Sequence, residues 1–448
     1  MTETIDLTMS TLRKMYARGT KPADVVATLV KRIKQDQHRH AWIYVEDERV
    51  LKERCDELDQ RLQRGDDLPL FGIPFGVKDN IDAGQMPTSA ACPEFTYRAE
   101  KPSRAVELLV GKGAICIGKT NLDQFATGLS GARSPYGVCA SVQNADYISG
   151  GSSSGSAVAV AAGHVAFALG TDTGGSGRIP AGFNGIVGVK PTLGKVSLRG
   201  VVPNCLTLDV VSVFANNVSD GAEVLQAMSG YDADDPYSKS PPPMPAVGTT
   251  FTFGRLSRRD LEFFGMEECR ALYESACDRL AAIGWRPMEI DFAPFREAGR
   301  LMFEGPWIAE RKSALRAFAS AHPGALLDVT QRVLSVADRF SAVDAFDGIH
   351  ALAQLKRKTE QTFAAIDVLL VPTAPRPYRV ADMLANPIEL NSQVGYYTHF
   401  AHMLDLCAVA VPNGMLSIGV PMGVTFLAPA WHDERVAALA NQFEQSEA

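Results

Sequence analysis

A chain of 448 residues can bury a large core, and its length allows roughly three domains or one big one. Apolar residues make up 46% and charged residues 21%, a balance that excludes disordered, collagen-like and coiled-coil chains. The 44 Lys and Arg against 51 Asp and Glu leave a net charge of -7, so there is no global basic field to hold a polyanion, and nucleic acid is not an expected partner.

The opening MTETIDLTMS lacks a basic stretch followed by an apolar one, which predicts no secretory leader. From Ile5 to about Arg64, leucines and valines recur at helical spacing among charged residues, and Lys21-Pro22-Ala23-Asp24 reads as a helix start. Residues 1–64 are therefore expected to form a helical N-terminal layer. Residues 65–235 change character: short β-branched or glycine-rich runs (FGIPFGVK, AICIGKT, HVAFALGTDT, GIVGVKP, VVSVFA) alternate with helix-like stretches, the rhythm of an α/β sheet whose chemistry sits at strand ends. Between Tyr237 and Thr250, Ser240-Pro241-Pro242-Pro243-Met244-Pro245 can continue neither regular element and reads as a linker or surface loop. Residues 250–448 read as a helical insertion and the remaining sheet: the stretch from about Asp260 to Phe363 is expected to be mostly helical, with amphipathic runs Cys269 to Ile283 and Ser335 to Phe363. Strand candidates follow at Ile366 to Val371, Ala408 to Pro412 and Gly419 to Phe426, then a closing helix from about His432 to Phe443. The longest apolar run, Ala157 to Leu169, contains Gly163 and His164 and is too short to span a bilayer, so no membrane association is expected. The eight cysteines include no C-x-x-C pair and read as reduced core thiols, which suits the cytoplasm.

Three glycine and serine clusters carry the chemistry. Gly72 to Asn80 is an apolar strand candidate that delivers Lys78 at its polar end. Such a lysine is either solvent-facing or stripped of water, and in the second case its neutral form is favoured and it can act as a base. Gly150-Gly151-Ser152-Ser153-Ser154-Gly155-Ser156 has the composition of a flexible linker, but it runs straight into the apolar AVAVAAG, which argues that it is packed. Gly170 to Pro180 places Ser176 on a glycine-flanked turn, where a hydroxyl is exposed and neighbouring N–H groups can converge as an oxyanion hole. G-x-G-x-x-G and H-E-x-x-H are absent, and no histidine sits in a recognisable Ser-His-Asp context.

In order and context the three clusters resemble the amidase signature family over nearly the whole chain. The resemblance implies an α/β/α sandwich with a large mixed central β-sheet in a single domain over 1–448, often as a homodimer, with no cofactor and no metal. It also implies a Ser-cisSer-Lys triad made of Ser176, Ser152 and Lys78, with Thr173, Gly174 and Gly175 contributing oxyanion N–H groups alongside Ser176. Arg178 and Asp172 are expected to brace the loop. Retention of all three reactive residues argues against a non-catalytic scaffold.

Within the family, Gly118 to Gly128, Tyr147-Ile148-Ser149 and Gly305 to Arg311 are similar to the allophanate hydrolase branch, which cleaves small planar urea derivatives and releases ammonia. That likeness implies substrate-binding roles for Gly128, Ser130, Phe303 and Arg311. Phe303 stands where a tyrosine is usual, Gly175 where an alanine is usual, and Tyr396 and His399 where smaller polar residues are usual. An aromatic face without a hydroxyl suits an amidinium better than a carboxylate, so guanylurea is the favoured substrate, ahead of allophanate and then biuret. The branch's further C-terminal domain is not expected, because the sequence ends at Ala448. His399 and His402, three apart, are expected to pack locally rather than to hold a metal.

Overall fold

The computed structural model describes residues 5–243 and 251–446; the segment Met244 to Thr250 of the expected linker and the end at Ala448 lie outside them. An 11-stranded sheet organises these residues. In chain order its strands are β1 (Trp42–Val45), β2 (Pro74–Lys78), β3 (Ile115–Thr120), β4 (Phe167–Asp172), β5 (Val187–Lys190), β6 (Val210–Ala215), β7 (Thr252–Leu256), β8 (Arg286–Ile290), β9 (Val368–Pro372), β10 (Leu406–Met415) and β11 (Pro421–Pro429). Across the sheet they run β1-β3-β2-β4-β6-β5-β10-β11-β9-β7-β8. The sheet is mixed: β2 lies parallel to both β3 and β4, whereas β6, β5, β10 and β11 form an antiparallel centre.

Alternation along the strands feeds two cores. Phe167 and Leu169 join a core with Val106, Val224 and Phe443 from helices on one face, while Ala168 between them joins a second core with Val26, Leu51 and Ala157 on the other. A sheet buried on both faces reads as a continuous apolar run, which is why its central strands were visible in the sequence.

Three strands were not expected. Trp42–Val45 interrupts the N-terminal helical layer, Thr252–Leu256 precedes the stretch read as helical, and Arg286–Ile290 interrupts it. Both β1 and β8 are sheet edges: four of the five residues of β8 are exposed, and β1, though apolar from Trp42 to Val45, is four residues long and only half-buried. The helix expected from Ser335 to Phe363 breaks at Phe340, and a fresh helix starts at Ala342 under a capping box formed by Ser341 and Asp344. Of the proline-rich segment, Ser240 to Pro243 form no helix or strand.

Candidate active site

Parallel pairing builds the site. Phe75 lies opposite Phe167 and Val77 opposite Leu169, so Lys78 and Asp172, the last residues of β2 and β4, emerge together at one edge of the sheet. Lys78 is fully buried. Its Nζ donates to Ser152 Oγ at 2.8 Å and to Thr171 Oγ1 at 2.7 Å. Loss of hydration pulls its pKa down to about 7, although Asp123, Asp209 and Asp172 nearby pull the other way. Close to neutral pH the amine therefore has a lone pair available for a large fraction of the time.

Ser152 follows a cis Gly151–Ser152 peptide bond. A Cβ on Gly151 would collide with the Asp123 carboxylate, so no larger residue fits there. Asp123 ties this turn to its surroundings: its own N–H donates to the Ser152 carbonyl at 3.1 Å, and its carboxylate accepts the amides of Ser130, Gly131 and Arg133 at 3.0, 3.1 and 2.8 Å. Ser153 adds a second tie, donating its hydroxyl to the Thr171 carbonyl at 3.0 Å and accepting the Thr171 amide at 3.2 Å. Sequence reasoning assigned no role to Asp123, Ser153 or Thr171, although all three lie in or beside the stretches it quoted.

The turn bearing Ser176 is braced by a fully buried ion pair in which Arg178 Nε meets Asp172 Oδ2 at 2.9 Å. Burial alone would raise the Asp172 carboxyl, but Arg178, with His402 beyond it, holds it well below the usual carboxylate range. Asp172 also corrects one expectation. It accepts the Gly175 amide at 2.6 Å, so that N–H is already paired rather than free for an oxyanion. The amides of Thr173, Gly174 and Ser176 have no partner among the described residues. Thr173 is held from below: its hydroxyl donates to Asp209, which also accepts the amides of Asn204 and Cys205 at 2.8 and 3.0 Å. Burial outweighs these bonds and raises Asp209 to about 6.

A cavity of about 100 Å³ opens beside this turn, lined by Ser176, Thr173, Gly174, Gly128, Phe303 and Arg311, with Arg133 and Asn391 completing the wall. Ser130 is not among the lining residues; its amide serves Asp123, and its hydroxyl accepts the Ala132 amide at 3.2 Å. The Arg311 guanidinium lies 4.8 Å over the Phe303 ring, and the His399 ring meets the same phenyl at 4.4 Å. The Phe303 face expected to receive an amidinium therefore already has a protein cation on it. Burial, with repulsion from Arg178 and Arg311, pushes His399 down to about 3, so it stays neutral. His402 instead faces Asp172, its Nε2 3.4 Å from Oδ1, and the two histidines form no shared metal site among the described residues. Tyr396 packs edge-on against Phe264 and Tyr397.

A mixed α/β sheet carrying a buried lysine, a serine cluster and a turn of free amides is the framework of an amide hydrolase. Residues 24–437 match the Amidase family, and the chain belongs to it. It is 40% identical over 410 residues to the urea amidolyase of Saccharomyces cerevisiae, covering 91% of this chain and 22% of that protein, so it spans under a quarter of that relative's length. Its fold superposes on the allophanate hydrolase of Kluyveromyces lactis with a TM-score of 0.94 at 38% identity, covering 99% of this chain and 73% of the other. It is also 34% identical to a glutamyl-tRNA(Gln) amidotransferase chain from a Synechococcus species, covering 92% of this chain and 91% of that one. Within the family it is thus a close homologue of the amidase portion of urea amidolyases and allophanate hydrolases. Among the described residues no helix is long and apolar enough to cross a membrane.

Proposed function

We propose that this enzyme hydrolyses the terminal C–N bond of allophanate, with Ser176 as nucleophile and Ser152 and Lys78 as its proton relay. Neutral Lys78 takes a proton from Ser152, Ser152 takes one from Ser176, and Ser176 Oγ attacks the ureido carbonyl carbon. The amides of Thr173, Gly174 and Ser176 hold the oxyanion, each such donor lowering the barrier by about 3 kcal/mol. As the tetrahedral adduct collapses, its C–N bond breaks and the amine leaves as ammonia with the relayed proton. Water then releases the acyl group from Ser176.

Arg311 carries the choice of substrate. It is buried at the cavity wall with no ion-pair partner among the described residues, an arrangement that a substrate carboxylate completes and a substrate cation opposes. This displaces guanylurea, which the missing tyrosine hydroxyl had favoured, and agrees with the kinship to allophanate hydrolases. The small cavity admits a planar molecule of a few heavy atoms. The whole chain is proposed to act as one amidase unit, cytoplasmic and homodimeric, on the strength of the family resemblance.

Ammonia release from allophanate, biuret and guanylurea, compared as kcat/KM, tests the reading. Preference for allophanate supports it; preference for guanylurea overturns it.

A further inference from the structure

The cavity beside Ser176 holds a second buried guanidinium whose part in recognition the sequence did not mark. Arg133 is 4% exposed and lines the same cavity as Arg311. Its Nη1 donates to the Thr127 carbonyl at 2.9 Å and its Nη2 to the Pro387 carbonyl, while its Nε has no hydrogen-bond partner. Arg311 Nε is likewise without a partner. Neither arginine forms an ion pair among the described residues, and Arg332, exposed at the mouth, forms none either. The Asp123 carboxylate attracts the Arg133 charge but spends its oxygens on the amides of Ser130, Gly131 and Arg133 itself.

Two like charges lining one small, largely dehydrated space favour an anion that enters it. Backbone carbonyls satisfy part of the Arg133 fork and set its plane, and Asp123 offsets part of its charge. We propose that Arg133 is a specificity-determining residue that acts with Arg311 to form a paired-arginine seat for the substrate carboxylate. The inference rests on the reading that the substrate is an anion. It adds that selection against the neutral isostere biuret, in which a carboxamide replaces the carboxylate, depends on both arginines.

The test compares kcat/KM for allophanate and biuret in the wild type, Arg133→Gln and Arg133→Lys. A hydrogen bond to a charged group is worth roughly tenfold or more, so Arg133→Gln is expected to lose at least that factor more on allophanate than on biuret. Arg133→Lys, which keeps the charge, is expected to retain most of the allophanate preference. Equal loss on both substrates in Arg133→Gln overturns the proposal and leaves Arg133 as a wall residue. A wild-type enzyme with no preference for allophanate overturns the substrate reading itself, whereas a preference that survives Arg133→Gln overturns only the role of Arg133. Should Arg133→Gln fail to fold, nitrogen NMR of Ser176→Ala decides, with Arg133→Lys assigning the Arg133 signal. Allophanate is expected to shift two arginine Nε–H signals, and a shift of the Arg311 signal alone overturns the proposal.

Discussion

The guanidinium of Arg311 rests 4.8 Å over the ring of Phe303, so the aromatic residue that replaces the usual tyrosine supports the arginine rather than waiting for a cationic substrate. A contact of this kind contributes about 0.5 to 2 kcal/mol, and Phe303→Leu should raise KM for allophanate several-fold with a smaller effect on kcat. Arg311→Met removes the charge itself. Its kcat/KM for allophanate should fall by about 10- to 150-fold, matching the roughly 1.5 to 3 kcal/mol of a charge-assisted hydrogen bond, and steady-state ammonia release reads both effects.

Activity should rise with pH through neutrality. Lys78 has to be neutral to accept a proton, and burial brings its pKa to about 7, so the rate falls tenfold per pH unit well below that value and levels off above it. A pH profile of kcat/KM locates the limb. A limb near the ordinary lysine value would mean that burial does not bring Lys78 to neutrality, and a limb unchanged in Lys78→Ala would mean that Lys78 is not the base.

Asp172→Asn should be the most damaging conservative change near the site. It leaves Arg178 buried without its carboxylate, and losing one partner of a buried pair costs about 3 to 5 kcal/mol. Circular dichroism and thermal unfolding should show a protein that is strongly destabilised or does not accumulate, beyond any loss of turnover.

Gly175 has a φ of +135°, and a Cβ there would collide with Thr398 Oγ1. Thr398 in turn donates to the Gly174 carbonyl at 2.7 Å, so the two residues are fitted to each other. Gly175→Ala should therefore displace the Ser176 turn and lower kcat more than KM. Pairing it with Thr398→Gly should recover part of that loss, because the Thr398 clash is removed; the contact with Ile179 Cδ1 and the backbone strain remain.

Much of this architecture was readable because the central strands are buried on both faces and spelled in β-branched and small residues, as in β4 and β6. The edge strands β1 and β8 were not readable: one is short and half-buried, the other mostly exposed, and pairing on one side rather than hydrophobic periodicity makes them strands. At the site, Lys78, Ser152 and Ser176 stood out through their glycine and serine surroundings. Thr171, Asp209 and Arg133 are single polar residues whose roles arise only when distant segments meet: Asp209 holds Thr173 from 36 positions away. The pairing of the Gly175 amide with Asp172 depends on the path of the turn, which composition does not encode.

In the proposed reaction Ser176 carries the acyl group. Acid-quenched single turnovers with allophanate, followed by intact-protein and peptide mass measurement, test it most directly. An adduct confined to the peptide containing Ser176, absent in Ser176→Ala along with ammonia release, is the predicted result. An adduct on another residue, or turnover retained by Ser176→Ala, would contradict it.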